Sequence, residues 1–414
     1  MVKDIIKKFI PVFLLDWYYL SLPFLGAIFY RFPSKKIKVI GVTGTNGKST
    51  VVSMIAEILK EAGFKTASLS SIKFKIADKE WVNTLKMTMP GRMKLQKFLR
   101  QAVDAGCEFA VLEVTSEGIK QHRHSFIDFD TAVFTNLSKE HIERHGSFEK
   151  YREAKGKLFR ACKNIHIINR DDENAEYFLQ FPAKKKYGFD LCDDLYEARP
   201  HTSCMRPGLI QGLTQHIGIK DIQPLNLKLL GDFNIYNALA AISVGLSQGI
   251  DLEICKRAVE KIENIPGRME LVIKEPFKVF VDYAHTPAAL RKVYETLLKP
   301  RPQTPNPKLI CVLGAAGGGR DKWKRPELGK IAAQYCDQII LTNEDPYDES
   351  PEKILEDVAR GAPDAQKILD RREAIKTALG LANPGDAVII TGKGSEPWMC
   401  VKGGKKIPWS DNLT

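Results

Sequence analysis

Residues 37–50 read IKVIGVTGTNGKST, and no other stretch restricts the fold as tightly. Apart from Lys38 at its start, the run from Ile37 to Val42 is apolar, as in a strand buried on both faces. It enters Gly44-Thr45-Asn46-Gly47-Lys48-Ser49-Thr50 and then VVSMIAEILKEAG, whose apolar residues recur at helical spacing. Strand, glycine loop and helix in that order are the setting of a phosphate loop. Glycines let backbone N–H groups converge on phosphate oxygens, and the helix N-terminus adds partial positive charge. Lys48 is placed for the β- and γ-phosphates, and the Ser49 or Thr50 hydroxyl for Mg2+. The spacing departs from GxxxxGK[ST] because position 42 is valine. The loop predicts a nucleotide-binding α/β domain but does not name a reaction.

At 414 residues the chain outgrows a single core, so more than one domain is expected. Its 44% hydrophobic and 27% charged residues are those of a globular protein, which excludes disorder, collagen or a coiled coil as the main architecture. Lys and Arg number 62 against 50 Asp and Glu, a formal +12 that suits phosphates, nucleic acid or an anionic membrane, and equally a solvated basic surface. Eight cysteines stand singly with no CxxC, which argues against a zinc site or a disulfide framework. Residues 9–30, FIPVFLLDWYYLSLPFLGAIFY, carry one charged side chain, Asp16, between Lys3, Lys7 and Lys8 and Arg31, Lys35 and Lys36. Twenty-two residues reach across a bilayer core of about 30 Å. Pro11, Asp16 and Pro23 weaken a spanning helix, whereas basic flanks and Trp17-Tyr18-Tyr19 fit a segment lying in the interface. A helical hairpin packed on the body of the protein is the competing arrangement.

A second apolar run, Phe109 to Leu112, ends at Glu113. A carboxylate at the end of a parallel strand sits where open α/β sheets bind ligands, so Glu113 is placed to meet Mg2+. A third run, Ala132 to Phe134, leads to Glu140-His141, and the helical stretch SFEKYREAKGKLF contains Lys155. A lone histidine after a strand is usually a surface or capping residue. The order strand–Glu, strand–His, helix–Lys points instead to three elements converging on one metal–phosphate site.

GVTGTNGKST, LEVTSEGIKQHR, FTNLSKEHIERHG, EAKGKLF, GDFNIYNALAA, IPGRME, VDYAHTP and GKGSE resemble, in that order, the motifs of the Mur ligases, and most nearly the MurE type. The resemblance covers about residues 37–412. It implies an α/β fold: a phosphate-loop central domain with a mainly parallel sheet, then a C-terminal Rossmann-like α/β domain. It also implies ATP-dependent amide formation in cell-wall peptide synthesis, through an acyl phosphate. By resemblance Gly44, Thr45, Asn46, Gly47, Lys48, Ser49 and Thr50 bind ATP, together with Asn234, Asn237, Arg268, Asp282 and His285. Ser49, Thr50, Glu113, His141 and Lys155 hold two Mg2+ ions, Lys155 as a CO2-derived carbamate. Lys48, Glu113, His141, Lys155 and Arg268 are the catalytic set, and closure of the C-terminal domain brings Arg268 into place. Thr88, Pro90, Asp345, Tyr347, Gly392 and Glu396 fall on the acceptor and amino-acid side. The alternative reading of Asp282 is a helix N-cap.

The sequence also departs from the family. Thr88-Met89-Pro90 stands for TTP, EVTSE for EVSSH, and Glu344-Asp345-Pro346-Tyr347 for the DNPR whose arginine reads a distal carboxylate. Tyrosine makes no bidentate charged pair with a carboxylate, and Asp345 adds negative charge. Lysine or ornithine therefore fits slightly better than diaminopimelate, unless Arg320, Lys324 or Arg325 supplies the cation. The family's N-terminal UDP-binding domain has no counterpart in the roughly 36 residues before the loop. Expected domains are an apolar helical leader (1–36), the ATP-binding domain (37–267) and the amino-acid-binding domain (268–414). Residues 186–230 read as an inserted β region and 301–308 as a surface loop. Expected partners are ATP, a UDP- or lipid-linked muramoyl-peptide acceptor, a free diamino acid and a membrane surface met through residues 9–30, with no nucleic acid. The protein is expected to be a cytoplasmic monomer, peripheral at the inner face of the membrane. Competing functions are a folylpolyglutamate synthase-like ligase and a noncatalytic, membrane-anchored nucleotide-binding scaffold.

Overall fold

The apolar run before the glycine loop becomes an inner strand of a nine-stranded sheet. The computed structural model describes residues 12–85, 87–191, 213–298 and 307–412. They fall into two units: Met1–Leu137, Glu149–Leu227 and Ile235–Lys261 in the first, and Ser138–Phe148, Lys228–Asn234 and Ile262–Thr414 in the second.

The first unit contains β1 (Lys38–Thr43), β2 (Thr66–Leu69), β3 (Lys73–Ile76), β4 (Lys79–Val82), β5 (Phe109–Glu113), β6 (Phe129–Phe134), β7 (Ile165–Asn169), β8 (Lys185–Asp190) and β9 (Gln215–Gly218). Their order is β4-β3-β2-β5-β1-β6-β7-β8-β9. The hairpins β2-β3 and β3-β4 are antiparallel and every other pairing is parallel. All of β5, and all of β1 after Lys38, is buried, which is why both read as unbroken apolar runs. Register pairs Val42 with Glu113 and Thr43 with Phe134, so the chain leaves β5, β1 and β6 at one level. The expected inserted β region is instead continuous with this sheet. β8 and β9 extend its edge, while residues 192–212 lie outside the described residues.

The leader is also part of this unit. Helix α1 (Val12–Phe29) lies on the helix Arg92–Asp104, with Pro23, Gly26 and Ala27 buried. A Cβ on Gly26 would stand 3.3 Å from Met93 Cα and Gln96 Cγ, so small residues set this close approach. The described residues form one helix here and no hairpin. None of their helices is long and apolar enough to cross a membrane. Residues 1–11 lie outside the described residues.

The second unit holds β10 (Glu270–Ile273), β11 (Lys278–Asp282), β12 (Leu309–Leu313), β13 (Gln338–Leu341), β14 (Gln366–Lys367) and β15 (Ala387–Thr391) in the order β10-β11-β15-β12-β13-β14. β10 is antiparallel to β11 and the other pairings are parallel, as the four expected strands β11, β12, β13 and β15 required. Alternate residues serve opposite faces. Phe280, Cys311 and Ile389 enter one core with Tyr294 and Leu328; Val279, Val281, Ile310 and Val388 enter the other with Ala374 and Ile375. Residues 301–306 of the proline-rich loop lie outside the described residues.

Candidate active site

At the carboxyl ends of β5, β1 and β6 the phosphate loop is held as a cradle. Gly44 and Gly47 have positive φ (154° and 82°). A Cβ on Gly44 would overlap the Thr135 hydroxyl, and one on Gly47 the Asn237 amide oxygen. Side chains are therefore excluded at both turns. The end of β6 fixes the loop from one side. Asn136 accepts from the Thr45 N–H through its carbonyl (2.8 Å) and from the Asn46 N–H through Oδ1 (2.9 Å), and its Nδ2 donates back to the Asn46 carbonyl (3.0 Å). The Thr135 hydroxyl donates to the same carbonyl (2.8 Å). Lys48 opens the following helix (Lys48–Glu61), and its ammonium donates to the Thr45 carbonyl at 2.8 Å. Thr50 is buried in the first turn.

Two candidate metal-binding residues meet beside this cradle. The Ser49 hydroxyl donates to Glu113 Oε2 (2.7 Å) and shares a hydrogen bond with the Ser71 hydroxyl (2.8 Å). Glu113 Oε2 also accepts from the Ser71 N–H (2.9 Å). These are hard oxygen donors, the set Mg2+ takes together with phosphate oxygens and water. Among the described residues no three His, Cys, Asp or Glu side chains gather as a metal cluster. The donors present therefore fit an ion shared with a phosphate rather than a closed protein cage.

Lys155, on the helix Phe148–Ala161, is buried and donates to the Gly44 carbonyl at 2.6 Å, its ammonium 4.7 Å from the centre of the Tyr151 ring. Burial, reinforced by the charge of Lys48, holds its pKa well below the ordinary 10.5. Over the ammonium, the shift favours the uncharged amine. That is the form that adds to CO2, and carbamate formation supplies the anionic oxygens a hard cation needs.

Of the acceptor-side residues, Thr88 is half-buried and Pro90 buried, in a turn gathered by Arg123. The Arg123 guanidinium donates to the carbonyls of Met89 and Pro90 and to Gln121 Oε1, and burial lowers its pKa to about 10. Sequence reasoning passed over Arg123, whose role depends on a turn 33 residues away.

His141 belongs to the second unit. It stands before the short helix Ile142–His145 with φ 58°. Asp321 accepts from the Ile142 and Glu143 N–H groups (3.2 and 2.9 Å), and Glu140 is paired with Lys324 at 2.8 Å, both side chains buried. Asn234 is in this unit and Asn237 in the first, one helical turn apart on Phe233–Ser247. Asn234 Nδ2 donates to the Leu230 carbonyl (2.7 Å).

Asp282, at the end of β11, accepts from the Met269 N–H (2.7 Å) and the Ala284 N–H (2.6 Å). It ties two loops together and caps no helix. Burial raises its pKa against the pull of Arg268. The Arg268 guanidinium lies 4.4 Å over the Tyr283 ring, whose hydroxyl donates to Glu396 (3.0 Å). His285 shares a hydrogen bond with the Tyr283 carbonyl, and burial, with the charge of Lys324, keeps its imidazole neutral.

The amino-acid pocket reads differently from its sequence. Lys393, passed over between Gly392 and Glu396, is fully buried and donates to Asp345 (2.9 Å) and Glu396 (2.6 Å). Burial opposes its charge, yet Glu396 and Asp345 hold the ammonium above its ordinary range. Asp345 also accepts from the Cys400 N–H (2.8 Å). It is ion-paired with Lys393, which it shares with Glu396, so it is not the free anion that a distal ammonium was expected to meet. Glu344 is buried with Oε2 unpartnered, and burial, then the charge of Asp345, pushes its pKa to about 7. Tyr347 (φ 53°) lies against Gly318, and Arg320 is within electrostatic reach of Tyr283, Tyr347 and Glu396.

A strand-borne phosphate loop with oxygen donors suited to a hard cation and a buried lysine of depressed pKa marks a phosphate-loop enzyme that uses a nucleoside triphosphate. The family models for the Mur ligase middle domain and for the Mur ligase glutamate ligase domain match residues 42–245 and 267–394. A UDP-N-acetylmuramoyl-L-alanyl-D-glutamate--2,6-diaminopimelate ligase of Syntrophomonas wolfei is 38% identical over 395 residues, 92% of this chain and 78% of the relative. A solved structure of a ligase with the same name superposes with a TM-score of 0.56 at 30% identity, covering 91% of this chain and 77% of the other. Mycobacterium tuberculosis folylpolyglutamate synthase superposes with a TM-score of 0.65 over 90% and 92% of the two chains, but at 17% identity this likeness shows the fold alone. The chain belongs to the Mur ligase family of ATP-dependent amide ligases.

Proposed function

We propose that this ligase joins diaminopimelate to the D-glutamate carboxylate of a MurNAc-L-Ala-D-Glu acceptor, converting ATP to ADP and phosphate. The carrying observation is Lys155, a buried amine of depressed pKa against the phosphate-loop carbonyl of Gly44, beside Lys48 and Glu113. The amine nitrogen adds to CO2, a proton leaves to solvent, and a carbamate remains. Mg2+, when bound, withdraws charge from the phosphate oxygens. Ser49, Glu113 and the Lys155 carbamate would hold one ion, with Thr50 in support, and His141 keeps the family's role toward a second. Gly44 to Lys48 hold the phosphates, and Arg268 answers charge developing on them. The acceptor carboxylate attacks the γ-phosphorus and ADP departs. The amine then attacks the acyl carbon, phosphate leaves with the bonding pair, and the nitrogen gives up its proton. Positioning and electrostatics supply most of the acceleration.

The domains proposed for these tasks are 37–267 for ATP and 268–414 for the amino acid. Thr88 and Pro90 serve the acceptor, and Tyr347, Gly392 and Glu396 the incoming residue. Diaminopimelate is chosen over lysine or ornithine for two reasons. Asp345 is spent on Lys393, and Arg320 offers a cation for a distal carboxylate. The names carried by relatives agree. The protein acts as a monomer in the cytoplasm, at the inner face of the membrane.

The test is ADP release with UDP-MurNAc-L-Ala-D-Glu and, separately, diaminopimelate, lysine and ornithine. Turnover with diaminopimelate alone is expected. Turnover with lysine or ornithine alone overturns the choice of amino acid. Silence with all three while ATP still binds overturns the UDP-linked acceptor.

A further inference from the structure

Helix α1 presents a half-cylinder of apolar side chains to solvent. Trp17 (72% exposed), Tyr18, Leu20, Phe24, Leu25 (53%), Ile28 and Phe29 (72%) are all exposed, whereas Pro23, Gly26 and Ala27 face the Arg92–Asp104 helix. At about 100° per residue the exposed set fills roughly half the helix circumference. Ser21 is the one polar residue in that arc, and its hydroxyl is satisfied within the helix by the Tyr18 carbonyl (3.1 Å). The patch continues off the helix through exposed Phe126, whose ring centre is 5.1 Å from that of Phe24, and exposed Met93. A surface helix of a soluble protein ordinarily turns polar residues outward; this one does the reverse.

The rim is cationic. Arg31, Lys35 and Lys36 are exposed just after the helix, and Lys94 and Lys97 are exposed on the helix beneath it. Arg92 lies 4.2 Å over the Tyr19 ring. Residues 1–36 contain six basic and two acidic residues. Among the described residues the nearby acidic groups are exposed Asp16, with His122 Nε2 3.6 Å away, exposed Asp128, and exposed Asp104, which pairs with Arg100 and lies within electrostatic reach of Lys36.

We propose that α1 docks the protein on an anionic bilayer interface, lying in its plane with Trp17, Leu25 and Phe29 immersed and the basic rim at the headgroups. The proposal rests on the ligase reading for its purpose and on α1 alone for its geometry. Aromatic and aliphatic side chains on one face with cations beside them are what an interfacial helix requires. A second copy seated on the same face would bring two basic rims together, so charge complementarity favours an anionic surface.

The experiment is flotation of the full chain with vesicles of phosphatidylglycerol mixed into phosphatidylcholine, and with phosphatidylcholine alone. Binding to the anionic vesicles and weak binding to the neutral ones are expected. Trp17→Ser/Leu25→Ser/Phe29→Ser should weaken binding at least about tenfold. Arg31→Gln/Lys35→Gln should weaken it about fivefold per cation removed. Both variants should keep ATP binding. No flotation of the full chain, or equal flotation of the triple variant, overturns the proposal. So does a dimer seen in lipid-free ultracentrifugation that the triple variant abolishes. ADP release with the soluble acceptor is measured in parallel. Turnover without docking sinks the docking alone, and docking without turnover sinks the UDP-linked acceptor alone.

Discussion

Replacing Asp345 with asparagine separates two accounts of the amino-acid pocket. The substitution keeps the shape and an acceptor oxygen for Lys393 and the Cys400 N–H, and removes only the charge. A hydrogen bond to a charged group contributes about 1.5–3 kcal/mol and a neutral one about 0.5–1.5. The Cys400 bond at 2.8 Å becomes a neutral one and loses roughly 1–1.5 kcal/mol on that scale. The Lys393 bond at 2.9 Å stays charge-assisted but loses its counter-charge, which brings the two together to roughly 2–3 kcal/mol. Part of this returns, because the charge of Asp345 is, after burial, what raises the pKa of Glu344. Relieved of it, Glu344 ionises more readily and helps balance Lys393. A net loss of about 1–2 kcal/mol, with a urea slope of roughly 2 kcal/mol/M, lowers the midpoint by about 0.5–1 M. Urea titration near neutral pH, followed by tryptophan fluorescence, reads this. Steady-state assays should show the preference among diaminopimelate, lysine and ornithine changed by less than about threefold. An unchanged midpoint together with a swing in preference of about tenfold or more would mean that Asp345 faces substrate, and would refute the reasoning. The wild type carries a pH signature as well. Glu344 has a folded pKa of about 7 against an ordinary 4.5, so the folded state holds its proton longer. Its contribution to stability is fully present below pH 4.5 and declines by about 3 kcal/mol as pH rises to about 7. In Asp345→Asn that decline should be smaller.

Lys155→Ala should abolish ligation and leave ATP binding, and wild-type activity should fall in CO2-depleted buffer and return with bicarbonate; full activity of the variant would remove the carbamate from the mechanism. Because the folded pKa of Lys155 is depressed from 10.5, its part in stability should increase as pH rises toward 10.5, and Lys155→Met should flatten that alkaline rise in a urea-midpoint series. Gly47→Ala places a Cβ at φ 82° against Asn237 and should weaken ATP binding by calorimetry about tenfold, or roughly 1–2 kcal/mol. Glu140→Leu leaves the Lys324 ammonium buried and unpaired and should cost about 3–5 kcal/mol, most of it recovered in Glu140→Leu/Lys324→Met; a double-mutant cycle with no coupling would show that the pair contributes nothing.

What could be read from the chain depended on how local each cause was. Glu113 was legible because its position needs only the strand before it, and Gly44 and Gly47 because their loop is contiguous with β1. Asn136 obeys the same strand-end rule as Glu113 and could have been found by it. Lys393 was quoted in its motif, but its meaning comes from Asp345, 48 residues away, so the ion pair in the pocket could not be read from either segment alone. Arg123 likewise acts on a turn distant in sequence. The leader's arrangement had a local signal that went unused. Pro23, Gly26 and Ala27 form a stripe of small residues at helical spacing, which marks the face that packs closely and leaves the bulky face outward.

The segment 138–148 has its own consequence for how the protein is made. Its neighbours on either side in sequence belong to the first unit, yet the acids and bases that fix it, Asp321 and Lys324, are encoded far downstream. Glu140 and Lys324 are separated by 184 residues. At a synthesis rate of about 5–20 residues per second, Glu140 waits on the order of 10–40 s for its counter-ion. Until then the carboxylate stays in water, and the histidine beside it has no fixed place. His141 is therefore set only when nearly half of the second unit has left the ribosome. A chain interrupted near residue 261 would carry a formed phosphate loop without a formed His141 turn.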